Sequence, residues 1–334
     1  MITHSQTQAK YESWEDELRN CYRDTDALLT AVGLPQQLNH WGNDKPEFPL
    51  RVPASYVRKI KIGDPDDPLL RQVLATINER ETYPGFRSDP IGELDAPTSG
   101  SLLQKYHGRA LILLTGACAI HCRYCFRRAF PYSERLGKGA LNEALDAIAR
   151  DPSLSEVIFS GGDPLIRDDA FLTELIGAVA NIAHVQRLRI HTRIPVVLPS
   201  RITPALLRVL ETNKVRSIVV IHANHAQELD EETALALDAL RSAGVALLNQ
   251  SVLLKGVNDD AEILCDLSER LFSCGVLPYY VHLLDKVSGS AQFDVSDAQA
   301  LEIEARLRAR LPGYLVPKFV REVAGEPAKQ PLRQ

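Results

Sequence analysis

The sequence predicts an α/β fold, in the form of a partial, open (β/α)6 TIM-like barrel. From residue 110 onward, short β-branched or apolar runs alternate with segments of helical period. This alternation occurs six times, which indicates parallel strands joined by right-handed helical crossovers. Polar residues follow each apolar run directly, as in barrels that build their active site at the carboxyl ends of the strands.

Each predicted strand is a short apolar run, and each predicted helix is a longer amphipathic segment. The predicted strands are Ala110–Thr115, Val157–Ser160, Arg187–His191, Ser217–His222, Ala246–Ser251 and Pro278–Leu283. The predicted helices are Leu141–Ala149, Asp169–Ala183, Pro204–Glu211, Asp230–Ala243, Asp260–Cys274 and Ser296–Leu311. A flat doubly wound sheet would concentrate its polar groups at one switch point, so polar residues after all six strands favour the barrel. Six strands are fewer than the eight of a closed barrel, which predicts an open one.

The first hundred residues have a different texture and predict an extension of helices and loops. One helix is expected over Trp14–Val32, followed by a proline-rich stretch over Asn43–Pro49. We therefore expect three parts: an N-terminal extension over residues 1–100, the barrel core over 101–312, and a C-terminal segment over 313–334.

Charge and hydropathy exclude several classes of protein. Lys and Arg total 38 and Asp and Glu total 43, which gives a net charge of −5 in 334 residues. Such a chain lacks the positive field that nucleic acids or anionic membranes require, so we expect neither as a partner. The N-terminus does not have the pattern of a secretion signal, and the uncharged stretch 110–120 is far shorter than the ~20 residues of a membrane span. We expect a cytoplasmic protein.

Three of the six cysteines form a C-x3-C-x2-C loop directly after the first predicted strand. Cys118, Cys122 and Cys125 can hold three irons of a [4Fe–4S] cluster and leave the fourth iron open to a small ligand. The alternative is a zinc-stabilised binding module without catalysis, whose fourth ligand would be His121, or Cys265 or Cys274 from elsewhere.

The placement of this loop resembles that of the radical S-adenosylmethionine (SAM) enzymes, with Tyr124 next to the last cysteine. The resemblance implies that the open iron binds the methionyl group of SAM. A Gly-Gly turn at the end of the second strand resembles the motif that contacts the methionyl amino group in this family. The residues implied at the SAM site are Ser160, Gly161, Gly162, Asp163, Arg193 and His222.

A closer resemblance, to the lysine 2,3-aminomutase family, extends from about Phe48 to Lys329. The stretches that carry it are Lys105-Tyr106-His107-Gly108-Arg109, Cys125-Phe126-Arg127-Arg128, His191-Thr192-Arg193-Ile194-Pro195, Asn249-Gln250-Ser251-Val252-Leu253-Leu254, Gly256-Val257-Asn258-Asp259, Gly313-Tyr314-Leu315-Val316-Pro317 and Gly325-Glu326-Pro327-Ala328-Lys329. Together they are far more specific than the cysteine loop. The resemblance implies an isomerase that converts L-lysine to (R)-β-lysine by moving the amino group from C2 to C3.

Radical migration of an amino group needs an unsaturated acceptor, which pyridoxal phosphate supplies, and a lysine normally holds that cofactor. The resemblance implies Lys329 as the lysine that forms the Schiff base. It implies Tyr106 and Arg109 as partners of the cofactor phosphate, and Gln250 as a further cofactor contact.

The same resemblance implies how the substrate lysine is bound. Arg127 matches the residue that holds the α-carboxylate, a role suited to the two-pronged guanidinium group. Asp285 and Glu322 match the acidic pair that binds the ε-ammonium group. Glu322 departs from the family pattern, because the mutases that act on free lysine carry aspartate there.

Two further departures concern a structural zinc and the use of the product. Only five residues follow Lys329, and Asp260 stands where the free-lysine mutases have a zinc-binding cysteine, so we expect no structural zinc. Short chains of this kind resemble the branch of the family that supplies β-lysine for modification of elongation factor P, together with a partner ligase and an external one-electron reductant. The alternatives are free β-amino-acid metabolism, or another substrate such as glutamate.

Overall fold

A computed structural model describes residues 11–39, 47–96, 98–211 and 214–333. It contains a ten-stranded sheet whose strands are hydrogen-bonded to one another in the order of the sequence. The strands are β1 (Thr98–Ser99), β2 (Leu102–Tyr106), β3 (Arg109–Leu113), β4 (Glu156–Ser160), β5 (Arg187–Thr192), β6 (Arg216–Ile221), β7 (Ala246–Val252), β8 (Leu277–His282), β9 (Lys318–Arg321) and β10 (Gln330–Pro331).

Helices join the strands, and most of the longer ones begin at an Asp or Ser whose side chain accepts a hydrogen bond from the first turn, such as Asp168, Asp230 and Ser296. The helices are α1 (Trp14–Arg19), α2 (Thr25–Ala31), α3 (Ala54–Val57), α4 (Pro68–Arg71), α5 (Tyr132–Arg135), α6 (Ala140–Arg150), α7 (Asp169–Ala180), α8 (Ile194–Val197), α9 (Pro204–Glu211), α10 (Glu231–Ser242), α11 (Ala261–Ser273) and α12 (Asp297–Arg310). In the part of the chain that is described, no helix is long and apolar enough to cross a membrane.

Strands β3 to β9 form a continuous run in which each strand is parallel to the next. The six predicted strands coincide with β3 to β8 to within two residues at each end. The order of the sheet begins at β1 and ends at β10, so the barrel does not close. The predicted α/β fold with an open barrel is therefore confirmed.

Four strands that the sequence did not predict extend the two edges of the parallel sheet. At one edge, β2 pairs antiparallel with β3, with Tyr106 opposite Arg109, and β1 pairs antiparallel with β2. At the other edge, β9 pairs in parallel with β8, and β10 returns antiparallel to it, with Gln330 opposite Arg321. The Tyr106 hydroxyl donates a hydrogen bond to Glu322, which directly follows β9. This contact spans the opening between the two edges of the sheet.

The prediction of a single helix over Trp14–Val32 is wrong. Helix α1 ends at Arg19, Tyr22 forms an isolated antiparallel bridge with Val52, and the Asp24 carboxylate then accepts from Ala27 N (2.9 Å) to start α2. An aspartate at a helix start satisfies donors that a continuous helix would satisfy internally, so the cap favours the break. The predicted proline-rich stretch lies outside the described residues as far as residue 46.

The main core lies between the sheet and the surrounding helices. On β5, Leu188 and Ile190 are fully buried in this apolar layer. Arg189 and His191 point to the other face, where they line a cavity on the inside of the open barrel. Since side chains alternate along a strand, one run of residues serves both the core and the cavity.

Candidate active site

The cavity inside the barrel has a volume of about 530 Å³. It reaches the carboxyl ends of the strands and both edges of the sheet. All of the site residues predicted from the sequence line it: Cys118, Cys122, Cys125, Lys329, Tyr106, Arg109, Gln250, Ser160, Gly161, Gly162, Asp163, Arg193, His222, Arg127, Asp285 and Glu322. The fold thus brings together residues from positions 106 to 329, while the role of each remains a prediction.

The three cysteines of the loop after β3 are free thiols. Burial, together with the neighbouring Cys122, raises the pKa of Cys125 to about 11, and burial raises that of Cys118 above its usual range. Arg193 Nη1 donates to Cys122 Sγ at 2.7 Å. Buried thiols next to one another favour the neutral state on their own, and metal ligation is the usual means by which such a group becomes thiolate.

Buried ion pairs and a ring contact hold the cysteine loop in place. The Arg123 guanidinium is fully buried and donates to both carboxylate oxygens of Glu79, at 2.8 and 2.5 Å. Arg128 Nη2 donates to the same carboxylate at 2.6 Å. The ring of Phe48 stacks on His121, with 4.7 Å between the ring centroids. The loop is therefore fixed by its own charged and aromatic residues.

The ligands that a zinc knuckle would need are not gathered. His121 Nδ1 lies 2.8 Å from the carbonyl oxygen of Pro49, which occupies that ring nitrogen. Cys265 is on α11 and Cys274 directly follows it, and both pack in the main core. Within the described ranges, no group of three or more His, Cys, Asp or Glu side chains is arranged to hold a single metal ion.

The turn after β4 approaches the cysteine loop so closely that only glycine fits. Gly161 has φ +126°, and a Cβ on Gly162 would lie 2.2 Å from the Ala117 carbonyl oxygen. Gly162 N and Asp163 N donate to the Thr115 and Ala117 carbonyls at 2.7 and 2.8 Å. These bonds lock the two loops together and leave a narrow backbone cradle facing the cavity.

A buried polar network extends from the cysteine loop to the end of β6. Arg193 Nη2 donates to Glu228 and Gln72, both at 2.7 Å. Asn224 Nδ2 donates to Gln72 at 3.0 Å, and Asn224 Oδ1 lies 3.3 Å from His222 Nε2. Burial and the nearby Arg193 lower the pKa of His222 to about 4, so this ring is neutral at pH 7.

At the opening of the barrel, Glu322 is the centre of a cluster of donors. Lys329 Nζ donates to Glu322 Oε2 at 2.5 Å, and Lys105 Nζ lies 3.5 Å from Oε1, which also accepts from Tyr106. Burial alone would raise the pKa of Glu322, but Lys329 and these donors lower it to about 2. The Arg109 guanidinium covers the Tyr106 ring at 4.7 Å. This side of the cavity therefore carries an excess of positive charge.

Asp285 and Arg127 differ sharply in how their charges are compensated. The Asp285 carboxylate accepts no hydrogen bond from the described residues, and burial raises its pKa to about 7 despite the attraction of Lys329. Arg127, in contrast, donates from Nε and Nη2 to both oxygens of Glu93 at 2.7 and 2.6 Å. Glu93 carries no signal in the sequence, because it lies in a loop without periodicity or motif.

Two histidines in the cavity were also missed. Burial lowers the pKa of His191 and His282 well below the usual range, so both rings are neutral. His191 Nε2 is buried and has no hydrogen-bond partner among the described residues. Their sequence signal is their position at the carboxyl end of a strand, β5 or β8. A buried ring nitrogen without a partner fits a cavity that binds a polar group.

Comparison with known proteins decides the family. Residues 112–267 match the Radical SAM superfamily. The chain is 48% identical to the L-lysine 2,3-aminomutase of Escherichia coli (strain K12), over 96% of this chain and 94% of that protein. The chain belongs to the L-lysine 2,3-aminomutase family. It is 47% identical to the member from Haemophilus influenzae over 95% of both chains, and 33% identical to that from Clostridium subterminale over 97% of this chain and 78% of that protein.

Membership in the aminomutase family makes the chain an isomerase of the radical SAM class, which excludes the zinc-stabilised module without catalysis. It also implies a [4Fe–4S] cluster, SAM and pyridoxal phosphate as cofactors. The residues present fit these groups. One cavity is lined by three free thiols on the cysteine loop and by the glycine cradle beside them. At the opposite edge it is lined by a lysine, together with hydrogen-bond donors that suit a phosphate group.

Proposed function

We propose that this chain isomerises L-lysine to (R)-β-lysine by radical migration of the amino group from C2 to C3, with dependence on pyridoxal phosphate. The observation that carries the proposal is the composition of the single cavity described above. Its lining includes three cysteine thiols, the lysine Lys329, and the two carboxylates Asp285 and Glu322. The reaction requires three things: a source of radicals, an anchor for the cofactor, and a site for the distant ammonium group of the substrate.

In this proposal Cys118, Cys122 and Cys125 hold the cluster, and the glycine turn with Arg193 and His222 holds SAM. When bound, these cofactors would supply a 5′-deoxyadenosyl radical for hydrogen abstraction from the substrate. The protein's own task is electrostatic and steric. Arg193 places a fixed positive charge and an N–H group on Cys122 Sγ at 2.7 Å, and hydrogen bonds to cluster sulfurs stabilise the reduced state. The neutral His222 can accept or donate a hydrogen bond without bringing a further charge.

Lys329 is the proposed anchor of pyridoxal phosphate, with Tyr106, Arg109 and Gln250 as further contacts. The cofactor supplies the unsaturated centre across which nitrogen moves between adjacent carbons. Glu322 keeps Lys329 Nζ in place by a 2.5 Å hydrogen bond, and its low pKa keeps it ionised throughout the neutral range. Lys105 and Arg109 add positive charge at the same edge, as a phosphate group requires.

The charges of the cavity support lysine rather than glutamate as the substrate. Arg127 carries the guanidinium proposed for the α-carboxylate, and Asp285 offers the ε-ammonium group a half-buried carboxylate that accepts no hydrogen bond from the described residues. A second carboxylate in place of that ammonium would face Asp285 and Glu322, and like charges in a buried site are strongly unfavourable. The barrel would hold the substrate and the cofactors in near contact and exclude water, which protects the radical steps from side reactions.

The direct test is incubation of anaerobically reconstituted, reduced protein with SAM and L-lysine. We expect β-lysine and 5′-deoxyadenosine as products, and no β-amino acid from L-glutamate under the same conditions. Formation of β-glutamate in place of β-lysine would overturn the assignment of the substrate. Loss of turnover on removal of pyridoxal phosphate, and its return on reloading, tests the dependence on that cofactor.

We further propose that the β-lysine serves modification of elongation factor P in the cytoplasm, with a one-electron reductant and a lysine ligase as functional partners. The support is the Lys105-Tyr106-His107 stretch before Arg109, which resembles that branch of the family, together with the six free cysteines, which suit a reducing compartment. The measurement is the β-lysyl content of elongation factor P in cells with and without the protein. If that content is unchanged and free β-lysine falls instead, the product serves free β-amino-acid metabolism.

A further inference from the structure

The carboxylate of Glu93 occupies the binding face of Arg127. Two parallel hydrogen bonds join them, from Nε and Nη2 of the guanidinium, at 2.7 and 2.6 Å. On the other edge, Nη1 donates to Ser160 Oγ at 2.9 Å and to the Gly161 carbonyl at 3.2 Å. Four of the five guanidinium N–H groups are therefore engaged, and both side chains of the ion pair are at most 7% exposed. An additional carboxylate has no two-pronged face of Arg127 left to bind.

We propose that Glu93 stands in for the α-carboxylate of the substrate at Arg127 and gives way to it when the substrate binds. Glu93 is thus a specificity-determining residue, because it is displaced only by a molecule that brings its own carboxylate. This inference rests on the proposed function, namely that an amino acid binds in this cavity with its carboxylate at Arg127. The guanidinium itself stays oriented by Ser160 and Gly161, which are independent of Glu93.

The exchange is electrostatically balanced. One carboxylate replaces another on the same guanidinium, so Arg127 never loses its partner in a buried site, where an uncompensated charge is costly. Until its amino group condenses with pyridoxal phosphate, the incoming amino acid also offers the displaced Glu93 an α-ammonium group of opposite charge. Together Glu93 and Arg127 match the two charges that every α-amino acid carries on one carbon.

The Glu93–Arg127 ion pair is accessible from the cavity, unlike the second buried ion pair nearby. Glu93 and Arg127 both line the cavity, whereas neither Glu79 nor Arg123, which form the buried pair under the cysteine loop, is among its lining residues. The loop that carries Glu93 also borders the opposite end of the cavity, since Lys105 Nζ donates to the carbonyl of Ile91 at 2.9 Å. A substrate that displaces Glu93 therefore contacts a loop that reaches both ends of the cavity.

The experiment measures equilibrium binding of two probes, L-lysine and L-lysinamide, to reconstituted protein without reductant, so that no turnover occurs. The ratio of the two dissociation constants isolates the contribution of the α-carboxylate. In Glu93→Gln the neutral amide competes less for Arg127, and we expect the preference for lysine over lysinamide to rise about tenfold or more. The thermal shift caused by lysine should grow in parallel, while lysinamide gives no such gain.

Glu156→Gln is the matched control, because Glu156 also pairs with a cavity arginine, Arg189, at 2.6 Å, but at the amino end of β4. It should leave the lysine-to-lysinamide ratio unchanged. An unchanged or smaller ratio in Glu93→Gln overturns the inference and makes the pair a fixed structural one. Should Glu93→Gln not fold, Glu93→Asp withdraws the carboxylate by one methylene, and a raised ratio is required there as well. Failure of the native protein to bind lysine at all would instead overturn the proposed substrate, and this inference with it.

Discussion

Replacing Asp285 by asparagine tests the ammonium end of the cavity most directly. Asp285 is half-buried on the cavity wall, and its carboxylate accepts no hydrogen bond from the described residues; desolvation raises its pKa from 3.8 to about 7, with Lys329 opposing the rise. A pKa shift of that size corresponds to about 4 kcal/mol of free energy that disfavours the ionised carboxylate. An ammonium group seated beside Asp285 would relieve this cost, and the asparagine variant has no such cost to relieve.

The expected result of Asp285→Asn has two parts. Lysine binding should weaken at least about thirtyfold, because truncating one partner of a buried charge pair costs about 2 kcal/mol or more. The free energy of unfolding of the substrate-free protein should rise at pH 8, by up to about 4 kcal/mol. Titration calorimetry with L-lysine measures the first, with L-norleucine as the control ligand that lacks the ε-ammonium. Denaturant unfolding measures the second.

Protein stability and lysine affinity should depend on pH in opposite directions. Because the pKa of Asp285 is raised in the folded protein, its contribution to stability is fully present below pH 3.8 and is lost as the pH rises through about 7. Lysine binding moves the other way, since about a tenth of Asp285 is ionised at pH 6 and about nine tenths at pH 8, so affinity should rise about tenfold over that range. Wild-type affinity in Asp285→Asn, or an equal pH dependence in both proteins, would refute the reasoning.

Three further predictions concern the cofactor groups. Cys122→Ala should lose the iron–sulfur absorbance after reconstitution, whereas Cys274→Ala, a core thiol, should keep it; a full cluster in the first variant would contradict the assignment of the loop. Lys329→Ala should fail to retain pyridoxal phosphate after borohydride treatment, and mass spectrometry should locate the adduct on that lysine in the native protein; an adduct elsewhere would rule out this anchor. Gly162→Ala should weaken SAM binding about tenfold or more, because the new Cβ would lie 2.2 Å from a backbone oxygen. Gly177→Ala on α7 is the control, since its Cβ meets nothing within 4 Å and should stabilise the protein by up to about 1 kcal/mol. Equal effects of the two variants on SAM binding would argue against the cradle.

The parallel core of the fold could be read from the sequence because its signals are local. Strand β6 follows from the run Ser217–His222, and α10 from an apolar stripe bounded by the capping residue Asp230. Short edge strands carry no such signal. The two-residue strand β10 is defined by the pairing of Gln330 with Arg321, and two residues are too few to show a periodic pattern. The break between α1 and α2 likewise depends on the bridge from Tyr22 to the distant Val52.

In the candidate site, too, some residues could be predicted from the sequence and others could not. Cys118 and Lys329 were identified because motifs around them match a family, and Asp285 because it matches an acidic position of that family; the fold places all three on one cavity. Glu93 was missed because nothing in its loop has periodicity or a recognisable motif. Its importance is visible only through its two hydrogen bonds to Arg127, which lies 34 positions away in the chain. Long-range ion pairs of this kind are formed by tertiary packing, which single-sequence patterns do not encode.

The seam where Tyr106 meets Glu322 has a practical consequence for handling the protein. Lys329 sits beside this seam and directly precedes β10, whose two residues are anchored to β9 by a minimal ladder. A fusion partner placed directly after β10 would load that two-residue ladder and the lysine next to it, so chain added at this point would disturb the proposed cofactor anchor.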